Sequence, residues 1–258
     1  MKELLTIRDV LSAQSSHIVK ANDLITKSRY KLTLMETKIV LFAISQIQPD
    51  DKPFQSYTFR IKDFVAVCNL NKQSGTYKKY ISKVVNDLGQ KVLNIELEPG
   101  KTLITHWFSS CVIDTNNGVV KFTFDPNIAP YLFELKKFYT QYAGEFVYCM
   151  SSVYSIRLYE YLRSIKSKYY RQRVSVDEIR NRIECFSNLD DYTEFRYRVL
   201  DPAIKEINKY SDLKVSYKGI KDGYSIKYLE FTMLKHSAEE IQKRMYNRRE
   251  KLGSLTDE

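Results

Sequence analysis

Histidine, glycine and cysteine are scarce in this chain, and each scarcity removes a class of function. His17, His106 and His236 are the only histidines in 258 residues, and no H-x-H or H-x-x-x-H spacing joins them. A metal-dependent DNA-nicking enzyme needs clustered His or acidic ligands, because the metal must polarise the phosphate while a tyrosine attacks. Twenty tyrosines offer nucleophiles, but nothing assembles the rest of such a site. Glu96 and Glu98 share one face of an expected strand and are read as a solvated sheet face. The eight glycines form no G-x-G-x-x-G. Gly100-Lys101-Thr102 imitates the end of a phosphate-binding loop, yet Ile95 stands where its first glycine should be, so Pro99-Gly100 is read as a turn between strands. Cys68, Cys111, Cys149 and Cys185 lie 43, 38 and 36 residues apart with no C-x-x-C pair, which indicates neither a zinc site nor a disulfide framework. Apolar runs such as Ile39 to Ile44 fall far short of the ~20 residues that span a bilayer, and Met1-Lys2-Glu3 begins no signal peptide. The expectation is a cytoplasmic, non-enzymatic protein with no metal, cofactor or membrane.

What the chain has in excess is positive charge. Its 41 Lys and Arg stand against 31 Asp and Glu, a formal +10. Up to Pro130 there are 17 basic and 12 acidic residues, and after it 24 and 19, so each part carries +5 and no basic tail hangs on a neutral body. Hydrophobic residues at 43% and aromatics at 13% supply real cores and exclude a disordered polycation. An extended polyanion, first of all nucleic acid, is the expected partner. The length suits two domains of roughly 100–150 residues each.

Periodicity gives the same order of elements twice. Thr33 to Ile47 places Leu34, Ile39, Leu41, Phe42, Ile44 and Ile47 on an apolar helical face, opened by a Thr33/Glu36 capping box. A strand Tyr57 to Ile61, a short helix from Asp63 to Cys68, a polar turn Asn69 to Gly75 and a helix Thr76 to Lys91 follow. Strands Val92 to Leu97, Leu103 to Ile113 and Val119 to Phe124 complete this part, with Asn116-Asn117-Gly118 as a hairpin signal. The second part repeats the order: helix Ser152 to Lys166, strand Arg173 to Val176, helix Asp177 to Cys185, turn Ser187 to Asp191, helix Thr193 to Tyr210, then strands Leu213 to Tyr217 and Tyr224 to Leu234. Helix, strand, helix, turn, helix, hairpin is the order of a winged helix-turn-helix. The fold class expected is α+β, two tandem winged helix-turn-helix domains: residues 1–130, residues 131–236, and a basic tail 237–258.

The second helix of a helix-turn-helix reads DNA from its N-terminal part. In the second domain Val199, Leu200, Ala203, Ile204 and Ile207 fall on one side, and Glu194, Arg198, Asp201, Lys205 and Lys209 on the other. Glu194, Arg196, Tyr197 and Arg198 are the candidate base readers, Arg for guanine and Glu for the cytosine amino group. Pro202, lacking an N–H, should kink or reset the helix. The competing reading is a surface helix with a solvated charged face. In the first domain the matching helix buries Tyr77, Ile81, Val84, Val85 and Leu88 and presents Thr76, Lys79, Lys83 and Gln90, with Lys78 a further candidate for DNA contact. Of 14 arginines only Arg8, Arg29 and Arg60 precede Pro130. Arginine's planar fork matches guanine bidentately where lysine is a point charge, so the second domain is expected to read sequence and the first to hold backbone. Lys218, Lys221 and Lys227 around Gly219 and Gly223 suit phosphate contact from the second wing, whereas the first wing has only Lys121 nearby. The tail opens with a Ser237/Glu240 capping box and carries Lys243, Arg244, Arg248 and Arg249, a solvated helix or a fraying end.

These residues resemble the iteron-binding plasmid replication initiators built from two winged-helix domains. Tyr154 to Leu162 (YSIRLYEYL) looks like that family's R-L-Y-E-x-L helix, and Phe195 to Asn208 (FRYRVLDPAIKEIN) like its recognition helix with the trailing E-I-N. Val19 to Leu24 followed by Leu32 to Ile47 resembles the opening of its first domain. The chain departs from the pattern at Tyr197, where some members carry a basic residue. The resemblance implies monomers on tandem direct repeats of double-stranded origin DNA, melting of adjacent AT-rich DNA, and recruitment of host replication proteins such as a helicase or initiator. It also implies a homodimer in equilibrium with monomer that binds an operator inverted repeat and represses its own gene. The first domain would supply the dimer interface, with Leu4, Leu5, Ile7, Val10 and Leu11 facing a partner or covering the domain's own core. A tandem winged-helix transcriptional regulator using the same surfaces is the alternative.

Overall fold

In the computed structural model the described residues are 17–70, 76–165, 170–185 and 191–243. The apolar positions Leu4 to Leu11, turn residues 71–75 and 187–190, and the arginines of the tail lie outside them. The described residues form two compact units, one ending at Cys149 and one beginning at Met150.

The first unit opens with β1 (His17–Ala21), α1 (Asn22–Thr26) and β2 (Ser28–Arg29), then α2 (Leu34–Ile44). Helix α2 is its centre, buried from Glu36 through Ile44. The expected capping box starts it: Glu36 N–H donates to Thr33 Oγ1 at 3.3 Å and Thr33 N–H to Glu36 Oε2 at 2.7 Å. Phe42 meets Phe59, Phe64 and Tyr148 edge to face, with centroids 5.3, 5.4 and 6.1 Å away. Strand β3 (Ser56–Arg60), α3 (Ile61–Val67) and α4 (Tyr77–Leu88) complete a helix-turn-helix. Two antiparallel hairpins follow, β4 (Val92–Glu98) with β5 (Lys101–His106), and β6 (Phe108–Asp114) with β7 (Val119–Phe124).

The single strand expected from Leu103 to Ile113 is therefore two. Trp107, 2% exposed, turns inward between them and stands edge-on to Tyr30 at 5.1 Å, so β5 and β6 enter different sheets. Strand β3 pairs with β7, which makes β6–β7 the wing, while β4–β5 pairs with β2 as an additional hairpin. Nor does this unit stop at Pro130. After a 3-10 segment (Pro126–Tyr131), β8 (Tyr139–Ala143) returns to pair with β1, and α5 (Glu145–Tyr148) seats Tyr148 on the core. A strand partner more than a hundred residues away leaves no local signal, so the boundary moves to Cys149.

The second unit contains α6 (Val153–Ile165), β9 (Arg171–Ser175) and α7 (Val176–Ile183), the last capped by Ser175 Oγ accepting from Glu178 N–H at 3.0 Å. Next come α8 (Tyr192–Phe195), a π turn (Arg196–Leu200), α9 (Asp201–Tyr210) and the hairpin β10 (Leu213–Asp222) and β11 (Ser225–Lys235). The sheet order is β10-β11-β9, the wing closed by the strand that follows the first helix.

Polar side chains brace this unit where apolar packing alone would leave the helices free to slide. Buried Tyr159 donates to Asp212 Oδ1 at 2.9 Å, and Arg163 pairs with the other carboxylate oxygen at 2.6 Å. Burial, followed by the Asp212 charge, pushes the Tyr159 hydroxyl far above its ordinary range, so it stays a donor. Arg157 meets Glu184 at 3.2 Å, both nearly buried, which spares either charge an unpaired interior position. Glu206 Oε1 accepts from Ser151 N–H at 2.8 Å and Oγ at 2.6 Å, tying α9 to the start of α6. Asn208 clamps β10, donating to Val215 O at 2.8 Å and accepting from Val215 N–H at 2.6 Å. Among the described residues no helix is long and apolar enough to cross a membrane.

Asn208→Ala strands the amide and carbonyl of a buried residue, a loss of roughly 1–3 kcal/mol. Thermal unfolding followed by circular dichroism should show a transition lowered by roughly 5 °C or more, whereas Lys205→Ala on the exposed face should leave it within about 2 °C.

Candidate nucleic-acid interface

Tyr192 to Tyr210 runs as one rod, since Phe195, Arg196, Leu200 and Asp201 all keep right-handed helical backbone where its segments join. Phe195, Val199, Leu200, Ala203, Ile204 and Ile207 are buried. Glu194, Arg196, Tyr197, Arg198 and Lys205 are exposed, so the expected apolar and polar faces are both present, with Phe195 added to the core. Its ring carries the Arg180 guanidinium at 4.8 Å. Pro202 resets the helix without ending it. Position 202 has no N–H to offer the Arg198 carbonyl, and the Asp201 N–H bonds the Arg196 carbonyl five residues back, which widens one turn.

Both arginines on this face already touch carboxylates. Arg198 Nη2 lies 3.2 Å from Glu194 Oε1, a pair open to solvent and therefore weak. Arg196 Nε lies 3.1 Å from Asp201 Oδ2, and that hydrogen bond raises the guanidinium's pKa further. The other Asp201 oxygen accepts from the Tyr217 hydroxyl on β10. Partial burial and then Asp201 push the Tyr217 hydroxyl upward, so it remains protonated and donating. On the wing, Lys218 pairs with Glu230 at 2.9 Å, while Lys221 and Lys227 are exposed on either side of the tip turn at Gly223, whose φ is 63°.

In the first unit Ile81, Val84, Val85 and Leu88 are buried on α4, but Tyr77 is only half-buried. Thr76 precedes the helix without a capping bond, and it, Lys79 and Lys83 are exposed along one face, as residues three and four apart must be. Lys78 departs from them. It lies half-buried against the first wing, where a Cβ at Gly118 would come within 3.1 Å of its Cε. That tip is tight: Gly118 has φ 65°, Asn117 N–H donates to Asp114 Oδ1 at 2.9 Å, and Ile61 N–H donates to Gly118 O at 2.8 Å. The Asn117 backbone and side-chain donors hold the Asp114 carboxyl below its usual range.

Residue-by-residue reasoning thus brought together Thr76, Lys79 and Lys83 on one surface, and Glu194, Arg196, Tyr197, Arg198 and Lys205 on another. It passed over Tyr224, fully exposed beside Gly223, and Tyr80, 51% exposed next to Lys79. The glycine could have signalled Tyr224, but nothing in the sequence distinguishes Tyr80 from a core aromatic. It also passed over Asp201 as a partner of Arg196, because residues five apart do not share a face of an ordinary α-helix.

Residues 17–163 match the family described as Initiator Replication protein, WH1, and residues 175–233 match Initiator Rep protein, WH2. A replication initiation protein of Escherichia coli is 26% identical over 207 residues, 77% of this chain. The chain spans 64% of that curated relative's length. The crystal structure of Pi initiator protein in complex with iteron DNA superposes with a TM-score of 0.72 at 19% identity, over 87% of this chain and 99% of that one, a likeness of fold. Since the WH1 match alone covers more than half of its length, and WH2 takes up where the second helix-turn-helix begins, the chain belongs to the initiator replication proteins, with two successive winged-helix domains.

Proposed function

We propose that this chain is a plasmid replication initiator that binds tandem direct repeats of double-stranded origin DNA, promotes opening of adjacent AT-rich DNA and recruits host replication proteins. One observation supports this above the rest: each unit presents an exposed cationic or arginine-bearing face on the helix that precedes its wing hairpin, within a family of replication initiators. Arg196, Arg198 and Glu194 offer donors and an acceptor suited to base edges, with Tyr197 and Lys205 beside them. Thr76, Lys79 and Lys83 offer a hydroxyl and point charges suited to phosphate, joined by Lys78 at the first wing and Lys218 and Lys221 at the second. On this reading the second domain carries most of the sequence preference and the first more of the backbone affinity. No covalent step is needed: protomers on successive repeats bend and unwind the duplex, and the elastic energy they store tips an AT-rich segment toward the open state. A dimer form would occupy an inverted repeat and repress the chain's own gene.

Fluorescence anisotropy with a duplex carrying the direct repeats found beside the gene, and with a random duplex, tests this. The repeats should bind far more tightly, and affinity should fall roughly a hundredfold between about 50 and 200 mM salt if about four phosphates are neutralised. Preference for a lone promoter palindrome would favour a transcriptional regulator, and a salt-independent affinity would contradict DNA binding of this kind. Arg198→Ala should relax sequence preference, while Lys79→Ala should weaken all duplexes alike and reduce the salt slope by about one. The opposite pattern would exchange the roles of the two domains.

A further inference from the structure

Arg196 and Asp201 ought not to meet. At about 100° per residue an α-helix sets residues five apart roughly 140° round its cylinder. They meet because residues Arg196 to Leu200 form a π turn, in which the Asp201 N–H bonds the Arg196 carbonyl and stacks one residue over the other. The cause is in the sequence: Pro202 can neither donate to the Arg198 carbonyl nor tolerate its approach in an α-helical register. Wide turns of this kind are frequent at functional sites.

The contact has a direction. Asp201 holds Arg196 through Nε, 3.1 Å from Oδ2, which leaves both terminal nitrogens of the guanidinium to form a bidentate pair with another group. Asp201 is itself held, because its second oxygen accepts from Tyr217 on β10, and the Tyr217 ring rests on Phe231 with centroids 6.0 Å apart. The guanidinium is therefore braced from the wing sheet, a rigid element. Arg198 is placed differently. Its own terminal Nη2 faces Glu194, and among the described residues Glu194 has no second anchor.

We propose that Asp201 is a positioning residue which, brought under Arg196 by the π turn that Pro202 imposes, presents that arginine to a guanine in the major groove. Arg196, and not Arg198, is then the principal guanine reader. This rests on the DNA-reading role proposed above. Two adjacent phosphate oxygens would offer the same bidentate chemistry, so the test must separate base from backbone.

The full chain is titrated with the direct-repeat duplex, a set of single base-pair variants of it and a random duplex, each over a salt series. Arg196→Ala should abolish discrimination at one G·C pair, on the order of tenfold or more. Asp201→Ala and Pro202→Ala should erode discrimination at that same pair with the salt slope unchanged. Tyr217→Phe, which removes only the anchoring hydroxyl, should reproduce a smaller part of the effect and serves if Asp201→Ala unfolds. Full discrimination in both Asp201→Ala and Tyr217→Phe would overturn the proposal, as would a uniform loss across all duplexes with a salt slope reduced by about one, the mark of a phosphate contact. A wild-type chain that does not prefer its repeats refutes the proposed function and this inference with it. A wild type that does prefer them, beside variants that do so equally, refutes the inference alone.

Discussion

The N–H that Pro202 lacks shapes the face on which the second domain depends. A helix of this kind has to bury Phe195, Val199, Leu200, Ala203, Ile204 and Ile207 on one side while holding its polar side chains in a defined direction on the other. A proline in the middle would ordinarily end or bend it. Here the chain absorbs the lost bond by widening a single turn, and all the apolar side chains on both sides of that turn still reach the core. The widened turn shifts the register of everything before it by one residue relative to everything after. Asp201 thereby comes beneath Arg196, a contact that neither half of the helix could make alone.

The stretches by which the chain resembles such initiators form the frame that holds this helix rather than its exposed face. Arg157, Leu158, Tyr159, Glu160 and Leu162 of the R-L-Y-E-x-L stretch are all buried. Arg157 pairs with Glu184 and Tyr159 with Asp212, so the stretch ties α6 to the end of α7 and to the start of the wing. The trailing E-I-N does the same from the other side: Glu206 accepts from Ser151, Ile207 enters the core, and Asn208 takes both backbone groups of Val215. A buried polar group without a partner costs far more than a satisfied one contributes, which restricts such positions to residues of one shape. Exposed Glu194, Arg196, Tyr197 and Arg198 bear no such burial constraint. A departure at Tyr197 is therefore compatible with an unaltered frame.

Much of the fold was legible because its signals are local. The Thr33/Glu36 and Ser237/Glu240 capping boxes form as the spacing predicts, each with both reciprocal bonds. The turns at Gly100 and Gly118 sit at positive φ where the sequence places hairpins. What was not legible depends on partners distant in sequence. Strand β1 finds β8 across the whole first unit, and Trp107 divides an apolar alternating run because the interior has room for its ring, a fact of packing and not of periodicity. The site divides in the same way. Exposure of Thr76, Lys79, Lys83, Glu194, Arg196, Tyr197, Arg198 and Lys205 followed from helical spacing, but the half-buried position of Lys78 follows from the wing tip passing at Gly118.

Equal net charge in the two parts of the chain conceals different electrostatics. On α4 the exposed Lys79 has no acidic residue three or four positions away, and Lys83 has only Asp87, four residues on, so lysine dominates the charge of this face. A compact ammonium in that setting attracts phosphate at a distance but imposes little geometry. On the second rod each arginine faces a carboxylate, which shortens the range of its attraction, and the anchored Asp201 also orients the Arg196 guanidinium. Attraction without direction serves affinity, and direction at the expense of attraction serves discrimination, because a wrong base then leaves a braced donor unpaired. A single domain asked to do both would lose phosphate attraction to every carboxylate that orients an arginine. On the proposed reading, two successive winged helices would relieve that conflict, with the separation of lysine from arginine along the chain as the form of the relief.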